Sequence, residues 1–337
     1  MKKMNTIIKG IGAYLPEKEV SSAEMEKMAG YEKFGVKIGL CKMLTGCEPR
    51  HWSASDEYCS DIAAKAGKAA IENANVTADE VDALIFASVS HDFVEPATSN
   101  VVADKIGIRN AFCFDIKNAC NAFLSAVDIA DSFIKTGKAK TVLVVSGEAL
   151  TKWTKFNYTQ KEDLVQRAPV ALSIGDGGGA FVLQGSDEEK RGIVTSIFRT
   201  VPELWNNNVI WGGGVAYPAD PEKMYIPGTT KAIIDQIMNM TDYIPQILKK
   251  SGWTLEDIDY VVPTQVAKWI VKHIRESLGL NPEKIIQIVK TTGNMGASNV
   301  PVAADFALKE GKLTKGSKIL MIGGAVGVNL AMMTAVL

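Results

Sequence analysis

Residues 118–147 read NACNAFLSAVDIADSFIKTGKAKTVLVVSG, and residues 296–324 read GASNVPVAADFALKEGKLTKGSKILMIGG. Both segments start with small residues, continue with apolar residues at helical spacing, pass through a Gly-Lys pair and end in a run of aliphatic residues. The spacing predicts an amphipathic helix, and the continuous apolar run predicts a strand that is buried on both faces. The chain therefore contains the same order of helix, turn and strand twice.

Two further pairs of segments extend this similarity outward. VTADEVDALIF (76–86) and WTLEDIDYVV (253–262) each place a Thr three residues before an acid, as at a helix start, and then continue into an apolar run. IGDGGGAFVLQ (174–184) and GGAVGVNLAMMTAVL (323–337) each pass from glycines into one more apolar strand. The two halves of the chain thus repeat the same series of elements.

This repeated series predicts the fold class and the domain organisation. Buried strands that alternate with helices are typical of an α/β protein whose sheets are covered on both faces. We expect an N-terminal half, 1–188, and a C-terminal half, 189–337, with two sheets packed around shared central helices and a functional site where the halves meet. Two less regular stretches, 151–170 and 200–228, interrupt the repeat, and we expect them to shape a pocket.

The composition excludes several classes of protein. Of the 337 residues, 47% are hydrophobic and 22% are charged, as in a folded globular protein. The formal net charge is -1, so no basic excess exists for nucleic acid, which is not expected as a partner. The sequence has no run of about 18 apolar residues and no signal-peptide pattern, which predicts a cytoplasmic protein without a membrane partner.

The cysteines offer one candidate nucleophile. The chain has 5 Cys and 3 His without CxxC spacing, so we expect neither a disulfide framework nor a metal site. Cys120 follows a predicted strand (112–116) and precedes a helix that begins near Asn121. The unpaired N–H groups of a helix start favour a thiolate, so we expect the pKa of the Cys120 thiol to be lowered. A thiol packed in the core is the alternative that the residues alone leave open.

Several motifs occur in the order and at the spacing of the thiolase superfamily, and the chain most closely resembles its 3-oxoacyl-acyl-carrier-protein synthase III group along nearly the whole length. These motifs are TGCEPRHW (45–52), DIKNACNAF (115–123), IGDGGGAFVL (174–183), VVPTQVAKWI (261–270), GNMGASNVP (293–301) and the terminal GGAVG (323–327). The resemblance implies the thiolase fold and an acyltransferase of fatty acid or polyketide biosynthesis. It also implies coenzyme A or acyl-carrier-protein (ACP) thioesters as substrates, with no permanently bound cofactor.

The resemblance assigns roles to individual residues near the reacting groups. In this family a cysteine takes up an acyl group as a thioester, which a carbanion from a second thioester then attacks, and Cys120 matches that cysteine. The backbone N–H groups of Cys120 and of the turn around Gly324 would form an oxyanion hole. Asn294 matches the asparagine that contacts the carbonyl of the second thioester.

Other positions imply contacts with the carrier of the acyl group. Arg50 and Trp52 resemble family residues that hold the nucleotide of coenzyme A, for which a guanidinium and an indole ring are suited. Lys268, Lys272 and Arg275 recur at helical spacing and would form a basic edge that docks the acidic carrier protein. These assignments predict acyl-CoA or acyl-ACP as the partner of this chain.

The chain departs from the family at one catalytic position. Thr264 stands where family members have a histidine, and threonine donates a hydrogen bond but carries no proton near neutral pH. We expect the three histidines present, His51, His91 and His273, to be structural or solvated. A decarboxylating condensation is therefore not expected from this site.

A second departure offers a different base. Glu95, in the loop HDFVEP (91–96), resembles a glutamate that crosses the dimer interface and acts as a base in synthases of head-to-head β-keto products and pyrones. Glu95 would then act without decarboxylation, in a homodimer or in a pair with a paralogous subunit. We expect a condensing enzyme that forms a β-keto product. Acyl transfer to an alcohol or amine, and a non-catalytic partner subunit of an active paralogue, are the two alternatives.

Overall fold

The computed structural model describes residues 4–188, 190–228 and 231–337, and its apolar runs form strands. The strands are β1 (Asn5–Tyr14), β2 (Lys18–Ser21), β3 (Pro49–Trp52), β4 (Ala83–Ala87), β5 (Phe112–Ile116), β6 (Thr141–Glu148), β7 (Gly177–Ser186), β8 (Gly192–Thr200), β9 (Tyr260–Pro263), β10 (Lys318–Ala325) and β11 (Asn329–Val336). The helices are α1 (Ser22–Met28), α2 (Leu40–Thr45), α3 (Cys59–Ala74), α4 (Thr98–Ile106), α5 (Ala122–Lys135), α6 (Lys161–Gln166), α7 (Ala168–Ala171), α8 (Lys231–Met238), α9 (Ile244–Ser251), α10 (Lys268–Ser277), α11 (Val289–Thr292) and α12 (Asn299–Lys309).

The two larger sheets have matching strand orders. One sheet has the order β1-β7-β6-β4-β5, in which β6, β4 and β5 are parallel and β7 is antiparallel to both of its neighbours. The other has the order β8-β11-β10-β9, in which β10 and β9 are parallel and β11 is antiparallel to both of its neighbours. The prediction of an α/β fold with two sheets is confirmed.

Helices α5 and α12 lie in the apolar core that both sheets line. Phe123 and Val127 of α5 and Val302 of α12 are almost fully buried in one apolar cluster with residues of both sheets. The Phe123 ring meets the Phe181 ring of β7 edge to face, with 4.9 Å between the ring centroids. Full burial of one such side chain contributes about 1.5–3 kcal/mol, so this cluster is a main source of stability.

This arrangement places several residues of interest at the carboxyl ends of strands, at one edge of the sheets. Cys120 follows β5, Glu148 ends β6, Thr264 follows β9 and Gly324 lies near the end of β10. In open α/β sheets the carboxyl ends of parallel strands form the crevice in which ligands bind. Within the described ranges, no helix is both long and apolar enough to cross a membrane.

Candidate active site

Cys120 lies in a tight turn between a strand and a helix. Residues Ala119–Asn121 form a single 3₁₀ turn that joins β5 to α5. Ala119 has φ +47°, a left-handed conformation that is unfavourable for a residue with a side chain. Such strained residues are held in place by their surroundings and occur preferentially at functional sites. Here the turn brings Cys120 to the wall of a cavity.

The cavity has a volume of about 710 Å³ and is lined mainly by apolar and aromatic side chains. Cys120, Asn294 and Gly324 contribute to its wall together. Trp205 and Trp211 line it as well, with their ring centroids 6.2 Å apart. The expectation that the irregular stretch 200–228 shapes a pocket is confirmed, and a cavity of this size is typical of small-molecule sites.

The environment of the Cys120 thiol differs from the expectation. Burial, and to a smaller extent the charge of Glu148, raises the pKa of Cys120 to about 12, although a backbone hydrogen bond acts in the opposite direction. The predicted lowering of this pKa is therefore wrong. The favourable helix start is outweighed because removal from water disfavours the thiolate and a carboxylate stands nearby.

Asn294 presents its amide in a fixed orientation. Its Oδ1 accepts hydrogen bonds from the backbone N–H of Gly296 at 3.0 Å and from Nδ2 of Asn299 at 2.8 Å. Because Oδ1 is held on the protein side, Nδ2 is the part of the amide that is left to donate to a group in the cavity. Asn294 can therefore bind an oxygen that carries negative charge.

Gly324 brings backbone to the cavity beside Cys120. Its neighbour Gly323 has no room for a side chain, since a Cβ there would lie 2.0 Å from Oδ1 of Asn121. Strand β10 therefore packs directly against the turn that carries Cys120. This contact allows backbone groups of β10 to approach a ligand bound to the thiol.

Thr264 lies outside the large cavity. It is 6% exposed, and it borders a separate small cavity of about 10 Å³ that Gly324 and Met240 also line. Its hydroxyl has no hydrogen-bond partner among the described residues. Because Thr264 lines this small cavity and not the large one, direct donation from Thr264 to a ligand in the large cavity is not supported.

Glu95 is exposed and does not line the cavity, although its neighbours Phe93 and Val94 do. Within a single chain, this carboxylate is therefore in contact with solvent and not with the cavity. The side chains of Phe93 and Val94 are 56% and 85% exposed, so two adjacent apolar side chains beside Glu95 are uncovered in a single chain.

The location of Arg50 differs from the expectation. Its side chain is fully buried and donates hydrogen bonds to the backbone oxygens of Val20 and Leu172 at 3.0 and 2.7 Å and to the Ser22 hydroxyl at 3.0 Å. A buried guanidinium with these partners cannot reach a nucleotide at the surface. The expected role of Arg50 in binding coenzyme A is wrong, and the residue joins segments of the core instead.

Trp52 remains near the surface but does not line the cavity. Its ring stacks on Phe156, with centroids 6.2 Å apart and planes 10° from parallel, and Lys18 Nζ lies 5.2 Å from the ring centroid. Because the side chains of Phe156 and Lys18 already lie against the Trp52 ring, the structure gives no separate support to a role of Trp52 in nucleotide binding.

The predicted basic edge lies on α10, near the cavity. Lys268 is exposed, and the next residue, Trp269, lines the cavity. Lys272 and Arg275 lie further along the helix, 3.7 and 3.1 Å from the Glu276 carboxylate. Of the three, Lys268 is the one that directly precedes a residue of the cavity wall.

Two residues of the site were missed in the sequence. His91, expected to be structural or solvated, lines the cavity, where its ring meets Trp153 edge to face at 6.3 Å. Burial, with a smaller effect of Lys117, lowers the pKa of His91, so it is neutral at neutral pH. Glu148 is fully buried beneath the cavity wall. Its position at the end of a buried apolar strand, TVLVVSGE, was the available signal.

In the described part of the chain, no cluster of three or more His, Cys, Asp or Glu side chains is arranged to hold a metal ion. The site combines a thiol, an amide donor and backbone N–H groups in an apolar cavity. These groups can hold an acyl chain as a thioester and stabilise an oxyanion beside it.

Comparison with known proteins identifies the class. Residues 114–202 match the family described as 3-oxoacyl-[acyl-carrier-protein (ACP)] synthase III, and residues 248–337 match its C-terminal counterpart. The beta-ketoacyl-[acyl-carrier-protein] synthase III of Thiobacillus denitrificans is 32% identical over 319 residues, with 93% of each chain covered. That of Clostridium acetobutylicum is 31% identical over 331 residues, covering 96% of this chain and 97% of the relative.

Solved structures agree with this result. The 3-oxoacyl-[acyl-carrier-protein] synthase III of Aquifex aeolicus superposes with a TM-score of 0.84 at 27% identity, covering 99% of this chain and 100% of the other. Cerulenin-bound OleA of Xanthomonas campestris gives 0.86 at 25% identity, covering 99% and 97%. The protein is a condensing enzyme of the thiolase fold, and hence an acyltransferase. It belongs to the 3-oxoacyl-[acyl-carrier-protein] synthase III family.

Proposed function

We propose that this chain forms a β-keto product from two thioesters through an acyl group carried on Cys120. The observation that carries the proposal is that Cys120, Asn294 and Gly324 line one cavity of about 710 Å³. The apolar wall suits an acyl chain, and the polar groups lie where the reacting carbonyls would be. CoA and ACP thioesters are the substrate class that the family supports.

In the first step, sulfur of Cys120 attacks the carbonyl carbon of the donor thioester. The new bond between that carbon and Cys120 forms, the bond to the carrier sulfur breaks, and the Cys120 proton leaves with the carrier thiol. Because burial raises the pKa of Cys120 to about 12, little thiolate exists beforehand, and proton loss accompanies the attack. Backbone N–H groups at Cys120 and Gly324 would stabilise the intermediate oxyanion.

In the second step, a carbanion of the second thioester attacks the acyl carbon and releases Cys120. Nδ2 of Asn294 would hold the enolate oxygen. Glu95 would take the α-proton and return it to the released Cys120 thiolate, so that both groups regain their starting states and no carbon dioxide is lost. Since Glu95 is exposed in a single chain, this role requires that it enter the cavity of a second subunit.

The surface around Glu95 supports a homodimer. Val94 is 85% exposed, and Phe112, on the edge strand β5, is 56% exposed. An edge strand and exposed apolar side chains each favour association with another chain. A dimer that covers Val94 would bring Glu95, the next residue, close to the neighbouring subunit.

Acyl transfer to an alcohol or amine is the second candidate. It is favoured by one observation: Thr264 lines a separate small cavity and not the large one, so Asn294 remains as the side-chain donor for an enolate among the predicted catalytic groups. A heteroatom nucleophile needs no enolate. Product analysis with isotopically labelled acyl-CoA separates the two, because only a carbon nucleophile gives a β-keto product.

The proposal is tested by intact-mass spectrometry after incubation with acyl-CoA and acyl-ACP donors. An acyl adduct on the wild-type chain, absent from Cys120→Ala, is the expected result. Glu95→Gln is expected to keep the adduct but to lose the condensed product. No adduct with any donor would contradict both catalytic functions and leave the chain as a non-catalytic partner subunit.

A further inference from the structure

A buried acid at the end of β6 receives hydrogen bonds from two loops. Oε1 of Glu148 accepts from the backbone N–H of Val89 at 2.8 Å and of Ala297 at 3.1 Å. Oε2 accepts from the backbone N–H of Ser90 at 3.0 Å and from its hydroxyl at 2.6 Å. Hydrogen bonds to a charged acceptor are among the strongest in proteins, so one side chain holds both loops.

Both loops form part of the cavity wall. Ser90 follows β4 of one sheet and lines the cavity. Gly296 precedes α12 in the other half of the chain and lines the cavity too. A Cβ at Gly296 would lie only 2.9 Å from Oε1 of Glu148, so backbone and carboxylate are closely packed. Any movement of Glu148 is therefore transmitted to the wall on both sides.

A second link joins the same loops two residues earlier on the strand. The Ser146 hydroxyl lies 3.0 Å from that of Ser88 and 2.9 Å from that of Ser298. Ser146 and Glu148 are on the same face of β6 because they are two residues apart. The carboxyl end of this strand thus serves as a common support for both halves of the site.

We propose that Glu148 is a positioning residue, which holds the loops 88–90 and 296–298 against the turn of Cys120 and so fixes the nucleophile relative to the amide of Asn294. The importance of this placement for turnover rests on the proposed function of Cys120. Displacements of about 1 Å in such sites lower rates strongly, because the reacting atoms must meet in a defined geometry.

The charge of Glu148 gives the proposal a distinctive signature. Burial raises the pKa of Glu148 to about 7, against the opposing effect of its hydrogen bonds. Two thiols interact with this carboxylate, Cys120 and Cys59 at the start of α3, and its charge adds to burial in raising the pKa of each. Removing the charge therefore lowers the pKa of Cys120.

The test compares Glu148→Gln with Glu148→Asp by two measurements. One is the pH profile of iodoacetamide alkylation of Cys120, followed on its peptide by mass spectrometry, and the other is the rate of acyl uptake. We expect Glu148→Gln to react severalfold faster with iodoacetamide at alkaline pH and to take up acyl groups about 100-fold more slowly, as for a misplacement of about 1 Å between reacting groups. Glu148→Asp keeps the charge and is expected to slow acyl uptake without faster alkylation.

Asp176→Asn is the matched control. Asp176 is also a buried carboxylate, which accepts from Ser53 and Thr151, but it does not line the cavity. We expect it to lower the melting temperature and to leave the alkylation profile unchanged. If Glu148→Gln folds poorly, Ser90→Ala removes a single hydrogen bond of the same set and is expected to slow acyl uptake to a smaller degree.

The proposal would be overturned if Glu148→Gln took up acyl groups at the wild-type rate. It would also be overturned if Glu148→Gln and Asp176→Asn had the same alkylation profile. Alkylation requires no acyl substrate, so the two proposals fail separately. A wild-type chain that takes up no acyl group contradicts the proposed function, whereas an unshifted alkylation profile contradicts the role of Glu148.

Discussion

Nδ2 of Asn299 donates a hydrogen bond of 2.8 Å to Oδ1 of Asn294 and, together with the backbone N–H of Gly296 at 3.0 Å, fixes which end of the Asn294 amide faces the cavity. Asn299 is itself fixed, because its Oδ1 accepts from the backbone N–H of Met295 at 3.2 Å and its Nδ2 also donates to the Gly296 oxygen at 3.0 Å. A residue that touches no substrate therefore sets the polarity of one that would.

The first prediction uses this relationship. Asn299→Asp has the same shape but replaces the donor by a carboxylate oxygen, whose repulsion of Oδ1 is expected to outweigh the remaining hydrogen bond from the Gly296 N–H, so that the Asn294 amide rotates and presents its oxygen to the cavity. Condensation should fall by about 10²–10³-fold, as for loss of one oxyanion donor, with acyl uptake nearly unchanged. Product formation and the rate of adduct formation are measured separately. In an Asn294→Ala background the same change should have no further effect, and an equal loss of both rates would contradict the prediction.

The second prediction concerns Glu95 and the dimer. Mixed dimers of Cys120→Ala and Glu95→Gln chains contain one complete site if Glu95 acts in the neighbouring subunit. Refolding equal amounts together should restore about a quarter of wild-type turnover, since random pairing gives mixed dimers half of the time. A mixture of Cys120→Ala with Asn294→Ala is the control, because both residues line the cavity of one chain and no complete site results. Equal activity of the two mixtures would argue against Glu95 acting across an interface.

The third prediction follows from the burial of Arg50. Arg50→Met leaves the backbone oxygens of Val20 and Leu172 without their donor, so the free energy of unfolding should fall by about 3 kcal/mol. The folded protein should keep its KM for acyl-CoA. Urea unfolding and steady-state kinetics provide the two measurements. The exposed Lys42→Met is the control and should change the unfolding free energy by less than about 0.5 kcal/mol. An increase in KM without loss of stability would restore the nucleotide role.

The fourth prediction concerns the small cavity that Thr264 and Gly324 line. The small cavity beside Thr264 has a volume of about 10 Å³, too little for the added atoms of an imidazole. Thr264→His alone should therefore destabilise the protein by about 1–3 kcal/mol through overpacking and give no gain in malonyl-thioester decarboxylation. Met240→Ala, which removes a wall of that cavity, should allow a gain when combined with Thr264→His. Decarboxylation is followed as release of carbon dioxide, and a gain in the single variant would mean that the ring reaches the large cavity unaided.

The fifth prediction is the pH dependence of stability. Glu148 has its pKa raised from 4.5 to about 7 by burial, so between these values the folded protein holds a proton that the unfolded chain has lost. Stability therefore falls as pH rises through this window. This group should account for a loss of about 2 kcal/mol in the unfolding free energy between about pH 5 and about pH 8. Urea unfolding at both values should show a smaller decrease in Glu148→Gln than in wild type, and an equal decrease would refute the assignment.

The sequence by itself determined the class of fold and the identity of the nucleophile candidate. Periodicity and continuous apolar runs, present twice, specify helices and buried strands because these patterns reflect local backbone geometry and burial. The same repeat made the segment that begins near Cys120 correspond to the one that begins near Asn294, and so predicted a functional site where the two halves meet. The family motifs added the expected chemistry of a thiol and an amide.

Only the tertiary structure decided the state and the surroundings of these groups. The sequence predicted a lowered pKa for Cys120 from its helix start, but burial and Glu148, which is 28 positions away in the printed sequence, raise it. Arg50 looked like a surface contact and is a core residue, and Thr264 matched a catalytic position but faces a separate cavity. Desolvation and electrostatic effects depend on distances in space between segments that are remote in the chain, and no local pattern of residues encodes those distances.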